Sequence, residues 1–303
     1  GLFPRFAGYI LFIFSSIFYA WNSTVGFILL IFSAIIVHFV RSQLKTNYLG
    51  KYITTLFLLF PFIFFRSSSI LINLVPVLSD INKIYPESLI LPAGVSFYTF
   101  QLIGYLFDDK PEATTIKLKE SLLYTLFFPQ LIAGPIERAE DLIPQIKNVF
   151  LKGVYFDPSN IKNGLYLLSF GLFLKTFLGD VLASAFEVDF HLGGSYAAIT
   201  LMLSNGMVIY FDFLGYTLIA IGLARLFNIN LTLNFNRPYA SICVGEFWRR
   251  WHITLTRWFK TYIYKPIASN YNYSNLSIIN ATLLVFLLTA LWHGFGIRFL
   301  IWG

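Results

Sequence analysis

The stretch Tyr196-Ala-Ala-Ile-Thr-Leu-Met-Leu-Ser-Asn-Gly-Met-Val-Ile-Tyr-Phe-Asp212-Phe-Leu-Gly-Tyr-Thr-Leu-Ile-Ala-Ile-Gly-Leu-Ala224 decides the fold class. Asp212 is its one charged residue. As a helix it is long enough to cross a hydrocarbon layer, which takes about 20 residues. Only helices and closed barrels satisfy their own backbone hydrogen bonds in lipid. The run lacks the polar–apolar alternation of a barrel strand, so it reads as a membrane helix. Working outward, the runs 6–21, 25–40, 52–65, 89–107, 121–134, 163–179 and 276–295 repeat the pattern. Several are short for a perpendicular span, so tilt, flanking aromatics or re-entrant geometry makes up the difference.

Composition agrees. Hydrophobic residues make up 57% of the 303 and charged ones 12%, against roughly 25% charged in soluble domains. Mean hydropathy is +0.68, with 34 Phe, 18 Tyr and 6 Trp. A soluble domain of this size cannot hide that much apolar surface. The formal charge of +7 does not point to nucleic acid, because the basic residues bracket apolar spans instead of forming one stripe. The expected architecture is all-α: a polytopic integral membrane fold forming one membrane-embedded unit over 1–303. Gly1 and Ile301-Trp302-Gly303 both lie inside apolar runs, so the chain is expected to be a fragment truncated at both ends.

Loop charge orients the spans. The 41–51 loop carries Arg41, Lys45 and Lys51 without an acid, and 225–265 is basic against Glu246 alone. The 180–195 loop has Asp180, Glu187 and Asp189 without Lys or Arg. The first two therefore face the cytoplasm and the third faces outside. Placing 108–120 and 137–162 inside as well requires 121–134 to enter and leave by one face. Phe128-Pro129 and Ala133-Gly134-Pro135 would break a helix there, so a re-entrant hairpin is expected. From Glu246 to Ile267, Trp248, Trp251, Leu255, Trp258, Phe259 and Tyr262 fall near one helical face, with Arg249, Arg250, Arg257 and Lys260 largely opposite. That pattern describes an interfacial helix.

Chemistry can rest on few groups. Cys243, the only cysteine, excludes an internal disulfide and a cysteine-based metal cage. The four histidines are isolated, with no His-x-x-x-His or Glu-x-x-His pair, so no metal site is expected. Gly94-Val95-Ser96-Phe97-Tyr98 lacks the second glycine of a nucleophile elbow. His38 reads as an interfacial cap and His191 as a loop residue. His293, at the end of an apolar span within Leu291-Trp292-His293-Gly294, is the better acid–base candidate, because an intramembrane ionisable group is costly unless it serves a function. His252 follows in the basic-aromatic segment. Asp212, Lys175 and Asp180 should pair or line water, and Asn234, Asn236 and Arg237 precede Pro238 in a turn.

Asn234-Phe235-Asn236-Arg237-Pro238-Tyr239, followed by Glu246-Phe247-Trp248-Arg249-Arg250-Trp251-His252, resembles the signature of the membrane-bound O-acyltransferase family. The likeness is to its bacterial branch of alginate O-acetyltransferases and teichoic-acid D-alanyl transferases. Leu91–Gln101, Phe128–Ile136, Tyr210-Phe211-Asp212-Phe213 with Ala220–Ala224, and Leu291–Gly294 resemble further blocks of that branch, in the same order. The resemblance implies a helical fold with re-entrant and interfacial helices around a central tunnel, with His293 as the catalytic residue. It makes His252 a second functional residue on the cytoplasmic side. Leu214 and Leu218 stand where the family pattern has Ser and Asp, which removes a polar contact from that helix.

The resemblance further implies transfer of an acyl group, acetyl by preference, from a cytoplasmic thioester to a hydroxyl reached from outside. Acetyl-CoA or an acyl-carrier thioester would be the donor substrate, with no bound cofactor. The acceptor would be an extracytoplasmic polysaccharide or an acyl-accepting partner protein, and the location the bacterial inner membrane, among lipid. His293 would take the hydroxyl proton, with His252 aiding acyl handling. Asn236, Arg237, Glu246, Trp248, Arg249, Arg250, Trp292 and Asp212 are the tunnel or donor-binding candidates. Arg249, Arg250, Arg257 and Lys260 could attract phosphates or an acidic carrier. A transporter or flippase for a polysaccharide or lipid precursor is the rival reading, since broken helices and buried polar groups suit both.

Overall fold

The computed structural model describes residues 6–43, 48–67, 92–108, 116–155, 157–184, 195–270 and 272–302. Among them every regular element is helical. Five helices are long and apolar enough to cross a membrane: Thr24–Gln43, Tyr48–Arg66, Pro158–Ser184, Met202–Leu226 and Asn275–His293. The polytopic all-α expectation is met. His191, Lys45, Leu91, Glu187 and Asp189 lie outside the described residues.

The chain forms two compact units. One comprises Phe127–Thr254 with the N-terminal stretch to Leu11; the other comprises Phe12–Leu126 and Leu255–Gly303. Helix α1 (Ala7–Asn22) contributes to both.

In the second unit, α2 (Thr24–Gln43), α3 (Tyr48–Arg66), α4 (Val95–Phe107) and α5 (Leu118–Leu126) pack together. Leu30, Ala34 and Val37 of α2, Leu58 and Phe62 of α3, and Leu102 and Leu106 of α4 are buried at the contacts. The opposite faces leave Ile28, Phe32, Ile53, Leu56 and Phe60 exposed, as a lipid-facing surface requires.

In the first unit, the short turn α6 (Phe128–Leu131) and the amphipathic α7 (Ala139–Lys152) precede two long helices, α8 (Pro158–Ser184) and α9 (Ser195–Leu226). These two run antiparallel along a glycine seam. A β-carbon on Gly222 would stand 2.7 Å from the Gly164 carbonyl oxygen, and one on Gly215 would stand 2.8 Å from that of Gly171. Where lipid removes the hydrophobic drive between helices, such close backbone approach is what holds them. α8 changes to π-helical winding over Phe173–Asp180.

The helix break expected at Phe128-Pro129 is present: α5 ends at Leu126 and Pro129 sits at the start of α6. Two expectations need correcting. The 163–179 run is part of a 27-residue helix. Lys175, inside it, pairs with Asp180 at 2.5 Å and with Asp212 at 2.7 Å. The segment from Glu246 to Ile267 is not one helix. It divides into α10 (Val244–Arg250), α11 (Ile253–Phe259), a π-turn Lys260–Tyr264 and α12 (Lys265–Asn270). His252, with φ 40°, breaks the periodicity, so Trp248 and Trp251 share no continuous face with the buried Leu255, Trp258 and Phe259. The chain closes with α13 (Asn275–His293) and α14 (Ile297–Trp302).

Candidate functional site

Around His252 the first unit builds a clamp. The Asn236 N–H donates to the Arg250 carbonyl at 3.0 Å, and the Ile253 N–H donates to the Asn234 carbonyl at 2.8 Å. These two bonds fasten the strand-like 234–236 stretch to both sides of the Trp251-His252 corner. Asn234, fully buried, reinforces them through its side chain. Its Oδ1 accepts from the Thr254 hydroxyl at 2.6 Å and the Thr254 N–H at 3.3 Å. Thr254 Oγ1 in turn accepts from the Ile136 N–H at 3.1 Å, and Asn234 Nδ2 reaches Thr217 Oγ1 at 3.5 Å. Three of the motif blocks, with Thr217 of α9, thus meet in one hydrogen-bonded network.

The clamp has a conformational purpose. A left-handed backbone at a residue other than glycine costs of order 1–3 kcal/mol and persists only where the surroundings over-determine it. His252 is 5% exposed, with its ring edge-on to Phe213 at 4.7 Å and tilted against Phe235 at 6.5 Å. Trp251 is stacked on Phe247 at 5.5 Å and Tyr210 at 6.0 Å and edge-on to Phe235 at 5.1 Å. The turn after Asn236 is a second left-handed corner, at Arg237 with φ 49°, and leads into Pro238–Ala240.

The remaining candidates of this unit divide by role. Glu246 Oε1 accepts from Arg250 Nη2 at 2.6 Å, and Oε2 accepts from the Ile242 N–H at 2.9 Å, tying the loop before α10 to that helix. The backbone N–H is the chief reason the Glu246 carboxyl lies below its usual value, with Arg250 adding to it. Arg249, Asn236 and Arg237 are exposed, and Trp248 is half-buried with its ring 5.4 Å from Phe247. Asp212 turns toward α8, where it pairs with Lys175.

His293 sits in the second unit, at the last residue of α13. It is half-buried between Trp292 at 4.5 Å and Trp302 at 4.8 Å, ring centre to ring centre, and Arg66 acts on it electrostatically. Trp292 packs against Phe97 and Phe100, and Trp258 Nε1 donates to the Phe100 carbonyl at 2.7 Å. The Leu91–Gln101 block therefore supports the Trp-His-Gly block. The Phe299 ring packs directly on Gly294, where a β-carbon would meet it at 2.3 Å. Among the described residues no group of His, Cys, Asp and Glu could hold a metal ion.

The sequence reading missed Asn234 and Thr254 as site-building residues. Their signal was their position, inside and just after the two motif blocks. Trp302 and Phe299 had none, being ordinary apolar residues brought back over His293 by α14.

The model of the membrane-bound O-acyltransferase family matches residues 6–303. The chain belongs to that family. Its curated relatives include a peptidoglycan O-acetyltransferase of Helicobacter pylori, 38% identical over 244 residues, which cover 71% of this chain and 46% of the relative. A probable alginate O-acetylase of Pseudomonas aeruginosa is 34% identical over 221 residues, 71% of this chain and 41% of the relative. A teichoic acid D-alanyltransferase of Bacillus subtilis is 27% identical over 233 residues, 72% of this chain and 58% of the relative. The chain spans about half the length of the curated relatives it matches. Both arms of the branch that the motif blocks resemble are represented, and the family and these names favour acyl transfer over a transporter.

Proposed function

We propose that this chain is the core of an O-acyltransferase. It would move an acetyl group from a cytoplasmic thioester to a hydroxyl on an extracytoplasmic polysaccharide or partner protein, from a place in the bacterial inner membrane. The observation that carries the reading is the clustering of the motif blocks around two histidines: three hydrogen-bonded in the clamp at His252, with Phe213 of a fourth against its ring, and two in the aromatic support of His293. Acetyl is favoured over D-alanyl because the relatives at 38% and 34% identity are named for O-acetyl transfer, and the D-alanyl relative stands at 27%.

In this reading the His293 imidazole takes the proton of the acceptor hydroxyl as its oxygen attacks the thioester carbonyl. The carbon–sulfur bond then breaks, the thiolate leaves and collects the proton, and an oxygen ester remains. General-base help of this kind contributes about 10²–10⁴-fold. His252, held in a fixed direction by its corner, would orient the acyl donor, and the exposed Arg249 would attract the donor's phosphates or an acidic carrier surface. Acetyl-CoA or an acyl-carrier thioester supplies the group, and no resident cofactor is invoked. Asn236, Arg237, Glu246, Trp248, Arg250, Trp292 and Asp212 shape or support the passage.

The test is His293→Ala in the full-length protein, reading acetyl ester on the acceptor fraction and transfer from labelled acetyl-CoA. Loss by a factor in the general-base range, with unchanged unfolding, is the expected result. A folded variant that transfers at the normal rate ends the assignment.

A further inference from the structure

The stretch 230–236 carries the two asparagines that fasten the His252 corner, and it has no helix of its own to hold it. It leaves α9 past the left-handed Asn228, φ 57°, and enters the Pro238–Ala240 turn. Two side chains from earlier in the unit secure it. Gln145 of α7 accepts from the Asn230 N–H through Oε1 at 2.8 Å and donates through Nε2 to the Asn230 carbonyl at 3.1 Å. That is the pair of bonds a neighbouring antiparallel strand exchanges with one residue. Two residues on, Glu137 Oε1 accepts from the Thr232 N–H at 2.5 Å, and Oε2 accepts from the Thr232 hydroxyl at 3.0 Å. With Ile253 bonded at Asn234 and Arg250 bonded at Asn236, every second residue from 230 to 236 is tied to a neighbour.

Glu137 is the costly member of this set. It is 3% exposed, and a carboxylate closed off from water is unfavourable unless its oxygens are answered. Thr232 answers both, through its backbone and its side chain, and charge-assisted bonds of this kind are about twice as strong as neutral ones. The neighbouring Ile136 N–H donates to Thr254 Oγ1 at 3.1 Å. Residues 136 and 137 therefore grip the chain at two places at once, just after His252 and two residues before Asn234. Ile229, Leu231 and Phe235, which alternate with the bonded residues, are buried. A slip by one residue would exchange them with polar neighbours, so the bonds to Glu137 and Gln145 fix a register.

We propose that Glu137 is a positioning residue of the transfer reaction, fixing the register of 230–236 and, through Asn234 and Asn236, the direction of the His252 ring. This rests on the reading in which His252 orients the acyl donor. The left-handed backbone at His252 lasts only while its surroundings over-determine it, and slack in 230–236 would release both of the backbone bonds that flank it. Misplacing a group that orients a reactant is expensive, about 10²-fold for 1 Å. A buried carboxylate one residue beyond the Phe128–Ile136 block thus acts at a distance on the corner.

The experiment compares full-length wild type with Glu137→Gln, Glu137→Ala, His252→Ala and the double variant Glu137→Ala/His252→Ala. Glutamine can keep both bonds, its Oε1 accepting from the Thr232 amide and its Nε2 donating to the hydroxyl oxygen, whereas alanine keeps neither. Backbone amide exchange over 230–236 and 250–254 is read beside KM for labelled acetyl-CoA. Glu137→Ala should speed exchange in both segments and raise the donor KM, each about tenfold, with Glu137→Gln within about threefold of wild type. A smaller folded fraction lowers kcat and leaves KM alone, so KM separates positioning from stability. On the His252→Ala background, Glu137→Ala should add nothing to KM. Unchanged exchange over 250–254 in Glu137→Ala overturns the hold whatever transfer does, and so does a full additional KM effect in the double variant. A wild-type donor KM in His252→Ala, with exchange in Glu137→Ala altered as expected, overturns instead the reading beneath the proposal. Should Glu137→Ala not fold, Thr232→Val, which removes the partner of Oε2 alone, should show the same changes at about threefold. Wild-type exchange and KM in that variant overturn the hold as well.

Discussion

Gly222→Ala adds one methyl group where α8 and α9 are closest. The new β-carbon would stand 2.7 Å from the Gly164 carbonyl oxygen and 2.7 Å from the Leu168 amide nitrogen. Both are backbone atoms, so no side chain can rotate away. Ordinary contact begins near 3.4 Å, so the helices must part locally by about 0.7 Å, and the Gly171–Gly215 contact lies two turns along the same seam. Overpacking of this kind costs about 1–3 kcal/mol. Against it, alanine is better than glycine in a helix interior by about 1 kcal/mol. The net expectation is a loss of up to about 2 kcal/mol. Gly206→Ala, on the same helix, is the control: its β-carbon meets only the Tyr239 hydroxyl, at 3.5 Å. That variant should gain up to about 1 kcal/mol. The assay is unfolding in mixed micelles with rising dodecyl sulfate, followed by tryptophan fluorescence. The two alanines should shift the midpoint in opposite directions. Equal shifts, or a stabilised Gly222→Ala, would show that the seam does not hold the helices and would refute the reasoning.

Thr254→Val keeps the shape of the side chain and removes the hydroxyl shared by Asn234 and the Ile136 N–H, so two buried polar groups lose a partner. The expected cost is about 1–3 kcal/mol in the same unfolding assay, with Thr254→Ser close to wild type and acetyl transfer falling with the valine variant alone. Glu246 gives the pH dependence. Its folded value lies below the ordinary one, so its contribution to the 242–250 loop is complete above the unfolded value of about 4.3 and disappears as pH falls through the lower folded value. Hydrogen exchange at the Ile242 amide, corrected for its intrinsic rate, should lose protection in wild type only in that acid range. Glu246→Gln should be less protected at neutral pH and flat across the titration. A protected glutamine variant would remove the carboxylate from the account.

The membrane spans were legible because apolar length in lipid admits few structures, and α2, α3, α9 and α13 lie within a few residues of where hydropathy put them. What stayed hidden depends on partners distant in sequence. The 163–179 run stopped short of Asp180, whose carboxylate, with that of Asp212, is paired with Lys175 inside the helix. Glycines at 164, 171, 215 and 222 are unremarkable until two helices are set antiparallel, when their seven-residue spacing becomes a seam. The continuous interfacial helix failed for a related reason. Periodicity assumes helical φ at every residue, and nothing in the Trp-Arg-Arg-Trp-His run says that His252 leaves it.

That departure links fold to chemistry. Glycine would occupy the left-handed corner without strain, and the chain places an imidazole there instead. The strain of keeping it is met by Asn234, which holds the amides after the corner through its carbonyl and its side chain, and by Asn236, which holds the residue before it. A histidine in a regular helix would be free to choose among rotamers. Here the corner turns the ring inward, against Phe213 and Phe235, and leaves Trp251 stacked outside on Phe247. Phe235 touches both rings, at 5.1 Å from Trp251 and 6.5 Å from His252, so the stretch that fastens the corner also packs on its two aromatic residues. The motif is therefore best understood as a corner with its supports, in which Asn234 and Thr254 belong as fully as the histidine they aim.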